Sequence, residues 1–269
     1  MGANGRWLPV PTKVITLTTD FGMADGYVGM MKGVILGLAP AVQLVDLSHD
    51  IAPHDVWQGA YILARAAPYF PPRTVHLAVV DPGVGSQRRP LVVETSRAWY
   101  VGPDNGLFTH ALQEPQARAW ELNRPEYWLP TVSRTFHGRD IFAPVAAHLA
   151  LGVPPSEMGY PISDPVLLPW PTPTSHADGH IEGQVVHVDR FGNLITNIPA
   201  AWVASGHWRC MVAGREICGP SASYAAVERG ELVIVVSSAD TLEVAVRDGN
   251  AGQELGVTVG EAVTLWPAT

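Results

Sequence analysis

The stretch Val79-Val80-Asp81-Pro82-Gly83-Val84-Gly85-Ser86-Gln87-Arg88-Arg89 decides how the chain is read. A largely apolar run over residues 74–80 leads into an acid, a turn and a basic pair, so a strand delivers charge where a sheet would end. Pro82 fixes its own φ, and Gly83 and Gly85 permit backbone shapes that a Cβ would forbid; the loop therefore folds Arg88 back towards Asp81. In open α/β sheets ligands bind beyond the carboxyl ends of the strands, which makes Asp81 a candidate for chemistry. The competing reading is an Asp that caps its own turn, since structural ion pairs also perturb acids.

Upstream, residues 14–18 form a short β-branched run, followed by Thr19-Asp20-Phe21-Gly22-Met23-Ala24-Asp25, which places two acids at a strand's carboxyl end. Asp25 is expected to cap a helix over residues 26–38, with Val28, Met31, Ile35 and Leu38 facing the core. A strand over 42–47 precedes Ser48-His49-Asp50-Ile51-Ala52-Pro53-His54, and Asp55 caps a second helix carrying Ala60, Leu63 and Ala67 inward. Downstream, strands are expected over 91–94, 99–101 and 120–122. Asp104 and Asn105, in Gly102-Pro103-Asp104-Asn105-Gly106, fit capping and turn chemistry better than ligand contacts. A helix over 139–151, with Ile141, Phe142, Val145 and Leu149 on one face, puts His137 at its N-terminus. There the helix dipole disfavours an imidazolium and keeps a neutral ring able to accept or relay a proton. His49, His54, His76, His110 and His148 read as structural residues.

Strands alternating with helices imply an N-terminal α/β domain, residues 12–160, with a mostly parallel sheet flanked by helices and carrying the catalytic candidates. Pro161, Pro165, Pro169, Pro171 and Pro173 mark residues 161–180 as a linker. Beyond it, runs at 183–188, 194–198, 208–212, 232–236, 242–246 and 262–266 make residues 181–269 a smaller all-β, barrel-like domain. Its motif is Asp189-Arg190-Phe191-Gly192-Asn193: Phe offers a stacking face and Asn both donor and acceptor to a base edge, although plain hairpin chemistry explains the Gly and Asn equally well.

The 269 residues, 47% hydrophobic and 16% charged, suit a compact protein. Seventeen basic against 25 acidic residues give −8 with no Lys/Arg run, which excludes a nucleic-acid footprint. Cys210 and Cys218 lack metal-site spacing and read as reduced core residues. Residues 1–11 carry no signal-peptide pattern, and the longest apolar stretch, 33–45, is too short for a bilayer span, so no membrane partner and cytoplasmic residence are expected.

Asp20, Asp25, Asp81, Arg88 and His137 all fall at element ends of one domain, which points to a hydrolase or transferase. Two alternatives stand beside it. One is a metal-dependent hydrolase using Asp20, His49, Asp50, His54 and His137, although no pair has the helical spacing of a zinc motif. The other is a non-catalytic nucleoside-binding module, with acids on ribose and Asn193 on a base.

The chain resembles the S-adenosyl-L-methionine (SAM) hydroxide adenosyltransferases, the adenosine-forming SAM hydrolases related to the bacterial fluorinase and chlorinase. The likeness runs from Thr16 to Ala251, through Thr18-Thr19-Asp20-Phe21-Gly22, Val80-Asp81-Pro82-Gly83-Val84-Gly85, Val101-Gly102-Pro103-Asp104-Asn105-Gly106, Phe136-His137-Gly138-Arg139-Asp140 and Asp189-Arg190-Phe191-Gly192-Asn193. It implies hydrolysis of SAM to adenosine and L-methionine in homotrimers, with ligand held between the first domain of one subunit and the second of its neighbour. By resemblance Asp81, Arg88 and His137 are the catalytic triad. Asp20 matches the ribose acid, Asp25 and Asp189 lie near the methionine end, Phe191 and Asn193 match adenine contacts, Tyr224 an aromatic beside adenine, and Ser238 a carboxylate contact. The halogenating relatives place Tyr or other residues at the Asp81 position, so water rather than halide is the implied nucleophile. The resemblance implies no metal and no cofactor besides SAM as substrate. It leaves a SAM- or adenosine-binding module as the main alternative and a SAM-dependent halogenase as a lesser one. The likeness weakens at Asp240, where the family usually has Gly.

Overall fold

The computed structural model describes residues 13–204 and 206–268. Residues 1–11, read above as lacking a signal peptide, and the outer bounds 12 and 269 of the two expected domains lie outside the described residues. The chain divides into two compact units, Met1–Leu168 and Pro169–Thr269.

In the first unit the order is β1 (Val14–Thr19), α1 (Tyr27–Leu38), β2 (Gln43–Ser48), α2 (Val56–Ala66), β3 (Thr74–Val79), β4 (Pro90–Glu94), β5 (Ala98–Pro103), α3 (Thr109–Leu112), β6 (Arg118–Leu122), α4 (Ala143–Leu151), α5 (Pro155–Met158) and β7 (Gly159–Ile162). Seven strands form one sheet in the order β2-β1-β3-β5-β4-β6-β7. The pairings of β1 with β2 and β3, and of β3 with β5, are parallel, whereas β5-β4, β4-β6 and β6-β7 are antiparallel. The sheet is therefore mixed, and its parallel half is the one that ends in Asp20 and Asp81.

Every residue of β1 and β3 is buried, as strands covered on both faces must be. Val75, Leu77 and Val79 point into the core formed with Met31 and Ile35 of α1 and Val145 and Leu149 of α4. Val80 points the other way, against Gly59 of α2, where an added Cβ would stand 3.1 Å from its Cγ2. His76 and Thr16 share a hydrogen bond of 2.8 Å on adjacent buried strands, and His49 bonds Thr19 at 2.8 Å, so these two rings serve the fold.

Several expectations change. Asp25 does not cap α1: the N-cap is Gly26, in the left-handed region at φ 71, and no side chain bonds the first turn. Leu38 lies 40% exposed in the last turn of α1, outside the core stripe. Asp55 does cap α2, accepting from the Gln58 amide at 2.8 Å. The helix after His137 opens with a π-turn, residues Gly138–Phe142, before α4 begins. Pro161 sits in β7, an edge strand where a missing N–H costs no ladder bond. The Pro-rich stretch is tied to the first unit as far as Leu168, whose amide donates to Thr109 Oγ1 at 2.8 Å, while the Val166 amide donates to Asp104 at 2.8 Å.

The second unit contains β8 (Thr174–Ser175), β9 (Ile181–Val188), β10 (Leu194–Pro199), β11 (Trp208–Val212), β12 (Arg215–Gly219), β13 (Leu232–Val236), β14 (Thr241–Val246), α6 (Ala251–Leu255) and β15 (Ala262–Pro267). Seven strands run β12-β11-β15-β9-β10-β14-β13, all antiparallel, with β8 added to β9. A bridge between Ser221 and Val235 draws the outer strands β12 and β13 together, so the sheet nearly closes on itself as a barrel-like body. Inward residues such as Val185, Leu194, Ile234, Val244 and Leu265 fill it. β12 was not anticipated, because Arg215-Glu216-Ile217-Cys218-Gly219 offers a single buried apolar side chain. Cys210 is buried as expected and its thiol is pushed up to about 12 by desolvation; Cys218, one strand over, is exposed and is not a core residue. Among the described residues no helix is long and apolar enough to cross a membrane.

Candidate active site

Asp81 lies two residues past the carboxyl end of β3, and the loop after it is held by its own bonds. The Val84 amide donates to Asp81 O at 3.2 Å, the Ser86 amide to Gly83 O at 3.1 Å, and the Arg88 amide to Ser86 Oγ at 3.2 Å. Gly85 turns the chain at φ 76 against the Arg134 carbonyl, where a Cβ would come within 2.4 Å of the oxygen. The guanidinium of Arg88 then meets Asp81 as a fork: Nε donates to Oδ1 at 2.9 Å, and Nη2 makes a short contact with Oδ2. Both side chains are largely buried, 5% exposed for Asp81 and 9% for Arg88. The Arg88 guanidinium also lies 5.1 Å above the Phe142 ring. From the same nitrogen Arg88 reaches His137 Nδ1 at 3.1 Å. Carboxylate, guanidinium and imidazole thus form one chain of hydrogen bonds.

A guanidinium has only donors, so Nδ1 of His137 must present its lone pair to Arg88, and the neutral ring carries its proton on Nε2. His137 is held below its ordinary value of 6.5, first by burial and then by the Arg88 charge, against the opposing pull of Asp81, Asp140 and the Ser133 backbone. The ring is therefore neutral at pH 7, as the sequence suggested, but burial and Arg88 hold it so rather than a helix dipole. Its loop is pinned by Asp140, which is wholly buried, accepts from the Ser133 amide at 2.8 Å and takes a charged bond from Arg139 at 2.6 Å.

The basic pair divides its work. Arg89 turns away to Asp104 and Asp164, with bonds of 2.8 Å to each. Asp104 is 5% exposed and Asn105 Nδ2 donates to Val80 O at 2.8 Å, so both hold the strand that presents Asp81, in line with the capping and turn reading.

Asp20 leaves β1 beside Asp81: Thr19 and Val79, the residues before the two loops, are register partners on adjacent parallel strands. One Asp20 oxygen accepts from the His54 amide at 2.9 Å. Asp25 stands exposed further along the same loop. Phe21, Tyr27 and Phe136 pack edge to face with centroids 5.1–5.9 Å apart, which locks the Asp20 loop to the residue preceding His137. This aromatic trio was missed, although Phe21 and Phe136 each stand beside a candidate polar residue. The residues weighed as metal ligands, Asp20, His49, Asp50, His54 and His137, do not converge as a ligand set among the described residues.

In the second unit Asp189 braces its turn. Oδ1 accepts from the Phe191 and Asn193 amides at 2.9 Å each, and Oδ2 from Asn193 Nδ2 at 3.1 Å. Asn193 keeps its carbonyl and a second amide hydrogen, and Phe191 stands 74% exposed at the tip. Tyr224 donates to Glu243 Oε1 at 2.5 Å. Burial raises the Glu243 carboxyl, helped by the Asp189 charge, and Tyr224 is pushed up to about 12 by burial and by Glu243. Asp189, Asn193, Tyr224 and Glu243 thus share one neighbourhood. Glu243 was missed, its signal being a lone acid inside the apolar run Leu242-Glu243-Val244-Ala245-Val246. Ser238 is exposed on the turn between β13 and β14, whose Asp240 adopts φ 56, the left-handed conformation for which Gly is the ordinary choice and Asp a tolerated one.

A carboxylate–guanidinium–imidazole chain at the carboxyl edge of a mixed α/β sheet, followed by a near-closed antiparallel β unit, defines an α/β-plus-β enzyme class. Residues 15–159 match the SAM hydroxide adenosyltransferase N-terminal domain and residues 183–264 its C-terminal domain; the chain belongs to this family. It is 42% identical over 265 residues to an (R)-S-adenosyl-L-methionine hydrolase of Salinispora tropica, spanning 95% of this chain and 98% of the relative. A fluorinase of Actinoplanes sp. is 29% identical over 74% of each chain. A solved structure of an uncharacterized conserved protein from Thermotoga maritima superposes with a TM-score of 0.87 at 36% identity, covering 93% of this chain and 99% of that one.

Proposed function

We propose that the protein hydrolyses SAM to adenosine and L-methionine by attack of water at C5′, and that Asp81, Arg88 and His137 carry the reaction. Support comes above all from the continuous hydrogen-bond chain of these three side chains at the sheet edge, together with the match to a hydroxide-transferring family. As the C5′–O bond forms, the C5′–S bond breaks and its electron pair neutralises the sulfonium, so the leaving group needs no acid. The water must lose one proton, and with an unperturbed pKa of about 15.7 it needs help to do so. Asp81 orients the water through a lone pair that Arg88 leaves free. Arg88 stabilises charge as hydroxide character develops, and the proton lost by the water shifts along the chain to the Nδ1 lone pair of neutral His137.

Substrate contacts follow the same reading: Asp20 on the ribose hydroxyls, Asp25 and Asp189 towards the methionine end, Phe191, Asn193 and Tyr224 at adenine, and Ser238 on the carboxylate. The assembly is a homotrimer, and the reaction as written requires no cofactor.

The deciding test is purified protein with SAM in halide-free buffer containing EDTA, with nucleosides resolved by chromatography and Asp81→Ala as control. Adenosine and methionine in equal amounts, absent in the variant, are expected. SAM that binds but survives would replace hydrolysis with a binding role, and product only with added halide would make the protein a halogenase.

A further inference from the structure

We propose that His176, His180 and Glu182, none of them assigned above to catalysis or substrate binding, form a binding site for a first-row transition-metal ion of the zinc class. The three lie on the hairpin that joins β8 to β9. The His176 amide donates to His180 O at 2.9 Å and the Gly179 amide to His176 O at 3.0 Å, with Gly179 at φ 89 closing the turn. This places His176 across the hairpin from His180. Glu182, two residues further along β9, lies on the same face of the strand as His180.

The donor atoms of the three side chains all lie within 4.8 Å of one another. His176 Nε2 is 3.1 Å from one Glu182 oxygen, and His180 Nε2 is 3.7 Å from the other. Ligands at 2.0–2.1 Å around a tetrahedral ion stand about 3.3 Å apart, so both separations are close to those of a bound set. Two imidazoles and a carboxylate are the borderline donors that such ions prefer over magnesium or calcium, and three protein ligands leave the remaining position to water.

The feature that separates this cluster from a chance meeting of surface charges is Asp178. Its Oδ1 lies 2.5 Å from His180 Nδ1 and accepts from that N–H, which in the neutral ring leaves the lone pair on Nε2, the atom facing Glu182. A carboxylate holding the far nitrogen of a histidine is the usual support for a metal ligand. The two rings stack with centroids 3.9 Å apart and planes 6° from parallel. For their lone pairs to meet at one ion, each ring must turn about its Cβ–Cγ bond; side-chain exposures of 36% for His176 and 20% for His180 leave room. The ion would clamp the end of the Pro-rich stretch to the barrel-like unit.

The test is made on the whole protein after EDTA treatment and dialysis at pH 7.5. Titrating Co2+ should give visible d–d absorption saturating at one equivalent per chain, displaced by Zn2+, and Zn2+ should raise the thermal midpoint. His176→Ala and His180→Ala should each lose the Co2+ spectrum and the thermal shift, and Asp178→Asn should weaken Zn2+ affinity 10–100-fold without abolishing it. SAM turnover, measured after metal removal, should be the same in the His180→Ala variant as in the parent. No saturable Co2+ or Zn2+ binding by the parent protein overturns the proposal without recourse to any variant, and so does binding that both histidine variants retain.

Discussion

His137 sits within hydrogen-bond reach of a cation and yet offers it a lone pair, and this fixes how its chemistry responds to pH. Burial and Arg88 lower its pKa, so the ring is neutral above its ordinary value of 6.5 and is protonated only below it. Protonation removes the acceptor that Arg88 Nη2 uses and puts two cations side by side. The acid limb of kcat/KM is therefore expected below pH 6.5, with no His137-dependent change from pH 7 upward; a limb above pH 7 would show that another group controls the rate. His137→Ala should leave SAM binding by calorimetry within about threefold while turnover falls about 100-fold or more, the ordinary share of a proton-relay group. Asp81→Asn strands the Arg88 charge in a site where its side chain is 9% exposed. Losing one member of a buried pair costs about 3–5 kcal/mol, which urea unfolding should register. A loss below about 1 kcal/mol would mean that water already solvates the pair.

At the scale of elements, β3 buries a histidine along its length and delivers an acid just past its end. His76 is wholly buried between β1 and β5, stacked on Tyr100 at 5.0 Å, and desolvation lowers it from 6.5 to about 4. Because the unfolded chain binds the proton more readily, His76 contributes its full stability above pH 6.5 and loses it as pH falls towards 4. The span corresponds to about 3 kcal/mol. His76→Gln should shrink the difference in urea stability between pH 7 and pH 4.5 relative to the parent; an unchanged difference would assign acid sensitivity elsewhere. The Asp81 loop depends on backbone approach: Gly85→Ala would strain a residue at φ 76 and press a methyl onto the Arg134 carbonyl. A cost of about 2 kcal/mol or more is expected, with turnover falling too, because the displaced segment leads directly to His137. The strand and the Asp81–Arg88 contact were legible because Pro82, Gly83 and Gly85 restrict a loop to few shapes. The partner of Arg89 was not, since Asp164 lies far along the chain and only the return of the Pro-rich segment brings it near.

For the whole molecule, the proposed reaction predicts SAM turnover unchanged by chelator and by chloride, and the proposed assembly predicts light scattering at three times the chain mass; a monomer with full activity would sink the trimer. Local chemistry, written in consecutive residues, determined much: the strands and helices of the first unit as far as α4, the cap by Asp55, the loop that folds Arg88 onto Asp81, and the turn braced by Asp189. These rest on φ restriction, side-chain period and bonds that span a few residues. Tertiary structure alone decided the rest. It made half of the first sheet antiparallel, because pairing direction depends on which strands meet rather than on their composition. It supplied the cause of His137's neutrality and the raised carboxyl of Glu243 through burial and neighbouring charge, quantities that do not exist until distant segments pack. It also turned His176, His180 and Glu182 from a polar run into a convergent set of donors, with Asp178 behind His180, since only the hairpin's register sets their side chains against one another.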